Sequence, residues 1–215
     1  MCKFLLLLIA VGFVAMGFLV QGATTWSAEP TAATDLPTDG RILFRVQVSK
    51  RLMQTSALAE GKSSTDFSQV ILPGRLYAPP IKLAPVARAS AKWNTPAAAA
   101  SADFSAQKAD NAGWIVENFA SSDRSEVQSF LSDKDIRSRN RALFRAMNAR
   151  YISGQVNYKD YVLLFVRDGN PRRSPKVLTL EKGPDGYKRT NALSKDDTFD
   201  IVWCALRDGE VRVVD

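Results

Sequence analysis

Tyr161–Val166 reads YVLLFV and is apolar at every position. A half-buried strand alternates, so a run without alternation predicts a strand covered on both faces. The segments beyond it keep the extended period. After the loop Gly169–Pro175 (GNPRRSP), Val177–Glu181 reads as the next strand. Gly183-Pro184-Asp185-Gly186 is a turn leading into Tyr187–Asn191. Phe199–Arg207 carries apolar residues on both faces and is expected as a further strand. Asp208-Gly209 then suits a two-residue hairpin into Val211–Val214.

Upstream of Tyr158 the period is helical. Ile136, Leu143, Phe144, Met147 and Tyr151 share one stripe, which predicts a helix from about Lys134 to Tyr151 with Gly154 as its C-terminal cap. Asp123 with Glu126 three residues on resembles a capping box, followed by Val127, Phe130 and Leu131 on one face. In Phe104–Phe119, Ala112, Ile115, Val116 and Phe119 keep helical spacing, but Asp110-Asn111-Ala112-Gly113 is a turn able to interrupt the element. The expected class is α+β, with about three helices packed on one face of a curved antiparallel meander of four to six strands. In element order this resembles the NTF2-like or cystatin-like rolls. That resemblance rests on order alone and implies no function.

Five segments follow along the chain. Residues 1–22 form a signal peptide or membrane anchor, and 23–40 a polar, Pro- and Thr-rich lead-in. Residues 41–83 form a β-containing segment. Within it Arg41–Lys50 alternates as a half-buried strand, and Leu52–Ala59 suits a short helix. Val70–Leu72 and Ile81–Leu83, separated by prolines, read as edge strands or extended loop rather than central strands. Residues 84–102 are rich in Ala, Pro and Ser and read as a linker, and 103–215 form the α+β domain.

Phe4–Val20 is uncharged and apolar, with Lys3 before it and small residues after it, as in a secretory leader. Kept as an anchor, its helix would reach ~26 Å against a hydrocarbon core of ~30 Å. Either reading places the body outside the cytoplasm, in the periplasm or extracellular, tethered to the membrane by residues 4–20 if they are kept. Cleavage would remove Cys2 and leave Cys204 as the single thiol.

The 215 residues include no histidine, which excludes Ser-His-Asp and Cys-His catalysis and histidine-ligated zinc. No cofactor or metal motif is present. The formal charge of +7 is spread along the chain, without the dense basic stripe of a nucleic-acid binder.

The candidate binding residues are two basic groups. Arg137, Arg141 and Arg145 recur at every fourth position, and Arg172, Arg173 and Lys176 cluster in the predicted hairpin loop. Tyr158, Tyr161, Tyr187 and Trp203 are candidates to line a pocket if the sheet curls. These features suggest an exported, non-catalytic binding module of the cell envelope. Its partner would be an envelope protein or an anionic envelope surface. The alternative is a pocket enzyme using carboxylate, Tyr or Lys chemistry, with Asp196, Asp197, Asp200, Tyr187 and Lys195 as its candidate groups.

Overall fold

A computed structural model of the chain describes residues 36–48, 63 and 66–215. The apolar N-terminal run, residues 23–35 of the lead-in and the expected helix at Leu52–Ala59 lie outside the described residues.

The fold is α+β. Seven strands form one antiparallel sheet: β1 (Arg41–Gln47), β2 (Phe67–Leu83), β3 (Arg150–Tyr158), β4 (Tyr161–Asp168), β5 (Lys176–Gly183), β6 (Gly186–Arg189) and β7 (Glu210–Val214). Their order is β6-β5-β4-β3-β2-β1-β7, so the segment 41–83 belongs to the same sheet as the C-terminal meander. The helices are α1 (Pro96–Lys108), α2 (Ala112–Glu117), α3 (Arg124–Ser132), α4 (Lys134–Arg145) and α5 (Asp197–Asp208).

YVLLFV lies in β4 and is covered on both sides. Leu163 and Phe165 join Ile42, Phe44, Ile201 and Val202 in one core. Val162, Leu164 and Val166 join Ala97, Ala100, Leu178 and Leu180 in another. Helices therefore cover both faces of the sheet, α5 on one and α1 on the other, rather than the single face expected.

The sheet bends sharply at β2. Its first half pairs with β1, from Phe67↔Gln47 to Pro73↔Arg41, and its second half pairs with β3 from Gly74↔Val156 onward. Val70–Leu72 and Ile81–Leu83, expected as edge strands or loop, are thus parts of one strand in the middle of the order. Each half is laddered on one side, which is how it accommodates Pro73, Pro79 and Pro80. The register shift between Leu76 and Ile81 contains the Pro-Pro pair. On a flat sheet β1 and β4 would stand ~14 Å apart, three strand spacings. Instead the Phe44 and Phe165 rings meet edge to face with centroids 5.7 Å apart. Gly154 makes room for this closure, since a Cβ there would fall 2.7 Å from the Phe165 ring and 2.9 Å from Leu76.

Several local expectations are corrected. Phe199–Arg207 is part of helix α5. Its N-cap is Asp196, whose carboxylate accepts the Phe199 N–H at 3.0 Å, and Gly209 closes it with an N–H to the Ala205 carbonyl. An apolar run of this length fits either element by periodicity alone, and the cap decides for helix. Val211–Val214 is a strand, but it pairs with β1 rather than with a hairpin partner.

The helix expected to reach Tyr151 ends at Arg145, and Gly154 lies inside β3 instead of capping it.

Residues 96–102 of the expected linker form the first half of α1. Thr95 caps it, accepting the Ala98 N–H at 3.1 Å, with Pro96 in the first turn. Every residue from Pro96 to Gln107 is buried, so this helix has no polar face and therefore no amphipathic period to read.

Asp123 makes no capping bond to α3; its carboxylate accepts the Asn191 N–H at 2.9 Å.

The turn at 110–113 does interrupt the element. Asp110 has φ +50°, and Asn111 caps α2 by accepting the Trp114 N–H at 3.0 Å.

Candidate functional site

Arg150 opens β3 and is 4% exposed. Its Nη1 donates to Asp103 on α1 and its Nε to Asp168 at the end of β4, both at 2.7 Å. The second oxygen of Asp103 accepts from Arg189 Nη1 at 2.9 Å, and that of Asp168 pairs with Lys176 Nζ at 3.5 Å. Phe104 and Phe144 flank the Arg150 guanidinium, with ring centroids 5.2 and 5.7 Å away.

Burial alone would raise the Asp103 carboxyl. The Arg189 and Arg150 guanidiniums outweigh it and hold that carboxyl below the usual range. Asp168 behaves likewise, its burial outweighed by Arg150 and Lys176. For Arg150, burial disfavours the charge, but Asp168 and Asp103 more than restore it. All four carboxylate oxygens are occupied, so the network clamps α1, β3, β4, β5 and β6 together. Three cations face two anions within it, leaving this end of the sheet net positive.

The same end gathers further cations. Gly169 N–H donates to the Ala149 carbonyl at 2.7 Å, which sets the β4–β5 loop against the segment between α4 and β3. Arg145, the last residue of α4, is exposed, as are Arg172 and Arg173 in the loop. The loop is braced: Asn170 Oδ1 accepts the Arg172 N–H at 2.8 Å, and Arg167 Nη1 donates to the Arg173 carbonyl at 2.6 Å. Lys108 reaches in from α1, donating to the Met147 carbonyl at 2.9 Å. Two basic groups distant in sequence thus share one end of the sheet.

The other sequence candidates divide. Arg137 and Arg141 do not join that end as free cations, because both pair with Asp110, at 3.2 and 2.7 Å, and lock α4 to the α1–α2 turn. Tyr158, Tyr161 and Trp203 pack on the concave core under α5, while Tyr187 packs on the opposite face. The four aromatics do not converge.

Asp196 accepts from Lys159 Nζ at 2.8 Å and from the Tyr158 hydroxyl at 3.2 Å while capping α5. Burial would raise its carboxyl, but the bonds from Lys159 and the Phe199 N–H lower it overall. Asp197 and Asp200 occupy the first turn of α5, where carboxylates complement the helix dipole, and Lys195 is exposed.

Asp103, Asp168 and Arg189 escaped the sequence reading, since their separations follow no local period, and Arg150, expected on the flank of the α4 helix, opens β3 instead. One signal existed: Asp103 is the single charge in the apolar, Ala-rich stretch Pro96–Ala106. Among the described residues, no three His, Cys, Asp or Glu side chains gather as a metal requires, and no helix is long and apolar enough to cross a membrane. No family model, curated protein or solved structure matches the chain.

Proposed function

We propose that the protein is an exported, non-catalytic interaction module of the cell envelope that meets an anionic envelope surface through the basic end of its sheet. The observation that carries this reading is the Gly169–Ala149 hydrogen bond, which brings the loop of Arg172 and Arg173 to the end of α4 where Arg145 stands. Guanidiniums held by a braced loop present planar donors to phosphate or carboxylate groups at small entropic cost. Each basic side chain near an anionic membrane contributes about 1 kcal/mol at moderate salt. The export reading comes from Phe4–Val20 and supplies the compartment in which such a surface is met.

The test is cosedimentation of the full chain lacking residues 1–22 with phosphatidylglycerol vesicles and with neutral phosphatidylcholine vesicles. Retention on the anionic vesicles alone, weakening as salt rises, supports the reading. Equal retention on both, or on neither, removes it.

A further inference from the structure

The two outer strands of the sheet end differently. β6 is sealed by loops: its Tyr187 N–H donates to the Trp93 carbonyl at 2.6 Å, its Arg189 N–H donates to the Asn118 carbonyl at 2.8 Å, and the Arg189 carbonyl accepts the Ala120 N–H at 2.8 Å. β7 stands at the other end of the order and pairs with β1 on one side.

Alternation shows which backbone groups of β7 are left over. The Gly40 carbonyl accepts the Gly74 N–H and the Val48 N–H donates to the Asp66 carbonyl, so the even-numbered residues of β1 turn toward β2. Arg41, Leu43 and Arg45 therefore turn toward β7, where their partners are Val214, Arg212 and Glu210. Val211 and Val213, opposite Phe44 and Ile42, direct their N–H and C=O away from the sheet. Among the described residues no strand lies beyond them, and none of the loop bonds that seal β6 has a counterpart here. Val213 is 58% exposed, on the face where Val211 packs against the core of Ile42 and Phe44.

A bare edge is a template for another strand unless proline, lysine or a covering loop blocks it. β7 reads EVRVV, with no proline and no lysine, and its Arg212 pairs with its own Glu210 at 3.2 Å.

We infer that β7 pairs antiparallel with β7 of a second copy of this chain, about a two-fold axis at Arg212. Val211 of each copy then stands opposite Val213 of the other, and each such pair exchanges two N–H···O bonds. Every outward group of both strands is met. The valines line up on the core side and cover Val213. On the other side, Glu210 of each copy falls diagonal to Arg212 of the other, within reach of a long side chain, so the arginines meeting at the axis are flanked by carboxylates. The strand is thus its own complement in donors, acceptors and charge, which favours a second copy over a foreign strand. Because β6 is sealed, the pairing closes at two chains. It uses no residue of the basic end, so either assignment can fail without the other.

The test is sedimentation equilibrium of the full chain lacking residues 1–22, from about 10 μM to 1 mM, with amide hydrogen exchange on the same samples. The expected mass rises from one chain toward two and stops there, while the Val211 and Val213 N–H groups gain protection with concentration. Val213→Pro removes an outward donor that makes no bond to β1, so it should weaken dimerisation at least ~tenfold and leave the melting temperature nearly unchanged. Arg212→Cys tests the register without relying on that variant. Residues directly opposite in a non-hydrogen-bonded pair have Cα atoms ~4.5 Å apart, close enough for a disulfide between copies on mild oxidation, whereas Val214→Cys is too far from its counterpart. A single-chain mass at the highest concentration overturns the inference. So does a dimer that Val213→Pro leaves intact, growth past two chains, or crosslinking of Val214→Cys as readily as Arg212→Cys.

Discussion

Arg150 and Asp103 are 47 positions apart in the chain, yet their side chains meet at 2.7 Å with 5% and 1% of their surfaces exposed. Burying ions is expensive, and a buried pair is tolerated only when every donor and acceptor finds a partner. Asp168 on the other side of Arg150 and Arg189 on the other side of Asp103 meet that condition. The network thus fixes α1 against the start of β3 and gives the basic end a rigid floor.

Removing Arg150 strips one oxygen each of the buried Asp103 and Asp168 of its partner, leaving only Arg189 and the more distant Lys176 against them. Arg150→Met should destabilise the fold by about 3–5 kcal/mol in urea unfolding. Adding Asp103→Asn and Asp168→Asn to it should recover part of that loss. A single Arg150→Met variant as stable as the parent would contradict the clamp.

The acid response follows from the same groups. Asp103, Asp168 and Asp196 all have folded carboxyls held below their ordinary values. A depressed folded pKa gives stability that is complete above the unfolded value near ~3.9 and is lost as pH falls below it. Melting temperature should therefore drop steeply on acidification below about pH 4, and Asp168→Asn should flatten that slope. At the alkaline end the sign reverses for Tyr77. Burial is the main cause that pushes its hydroxyl up to about 12, so its contribution persists below the unfolded value and is lost as pH rises toward that figure. An absorbance titration of Tyr77→Phe should lack the latest-ionising phenol.

Two glycines at the bend separate backbone from side-chain constraint. At Gly154 the nearest atoms in the way are a Phe165 ring carbon and a Leu76 methyl, with the Arg75 carbonyl next at 3.0 Å, whereas at Gly74 the nearest is the Gln155 carbonyl at 2.2 Å, with the Val156 Cα at 2.7 Å. Gly154→Ala should cost about 1–3 kcal/mol, and Phe165→Leu should relieve part of it. Gly74→Ala should cost more and resist any such rescue. Chemical denaturation of the four proteins decides between these outcomes.

Asp110 joins two turns of α4 to the α1–α2 connection through Arg137 and Arg141, whose side chains are 36% and 41% exposed. Pairs at this exposure contribute little, about 0.2–1 kcal/mol each. Arg137→Ala should accordingly shift stability only within that range and leave vesicle retention unchanged. A loss of retention would return Arg137 to the binding surface.

What was legible from the sequence followed the visibility of period and punctuation. YVLLFV announced a strand covered on both sides, and the alternation of Arg41–Lys50 announced β1, because strand burial writes itself at period two. Asp110–Gly113 announced a break between helices. The two misread helices differ in cause. α1 is polyalanine-like and buried throughout, so it shows no period. In α5 the buried Ile201, Val202, Cys204 and Ala205 do keep helical spacing, which the apolar residues between them masked. The caps Thr95 and Asp196 mark both as helices. The basic end was half legible. Arg145 and Arg172–Arg173 stood out as separate groups, but their shared location depends on Gly169 meeting Ala149, and the buried network depends on pairings across dozens of residues. No local pattern carries such contacts.

The most direct measurement compares two triple variants of equal charge on phosphatidylglycerol vesicles. One is Arg145→Ala, Arg172→Ala and Arg173→Ala. The other is Lys92→Ala, Lys182→Ala and Lys195→Ala, whose sites lie toward the opposite end of the sheet. Lys92 precedes Trp93, which accepts the Tyr187 N–H, Lys182 pairs with Tyr187 in the β5–β6 ladder, and Lys195 precedes the Asp196 that bonds Tyr158. Loss of retention in the arginine variant alone is the predicted result. Equal loss in both would trace binding to net charge and contradict a built surface at the Gly169–Ala149 end.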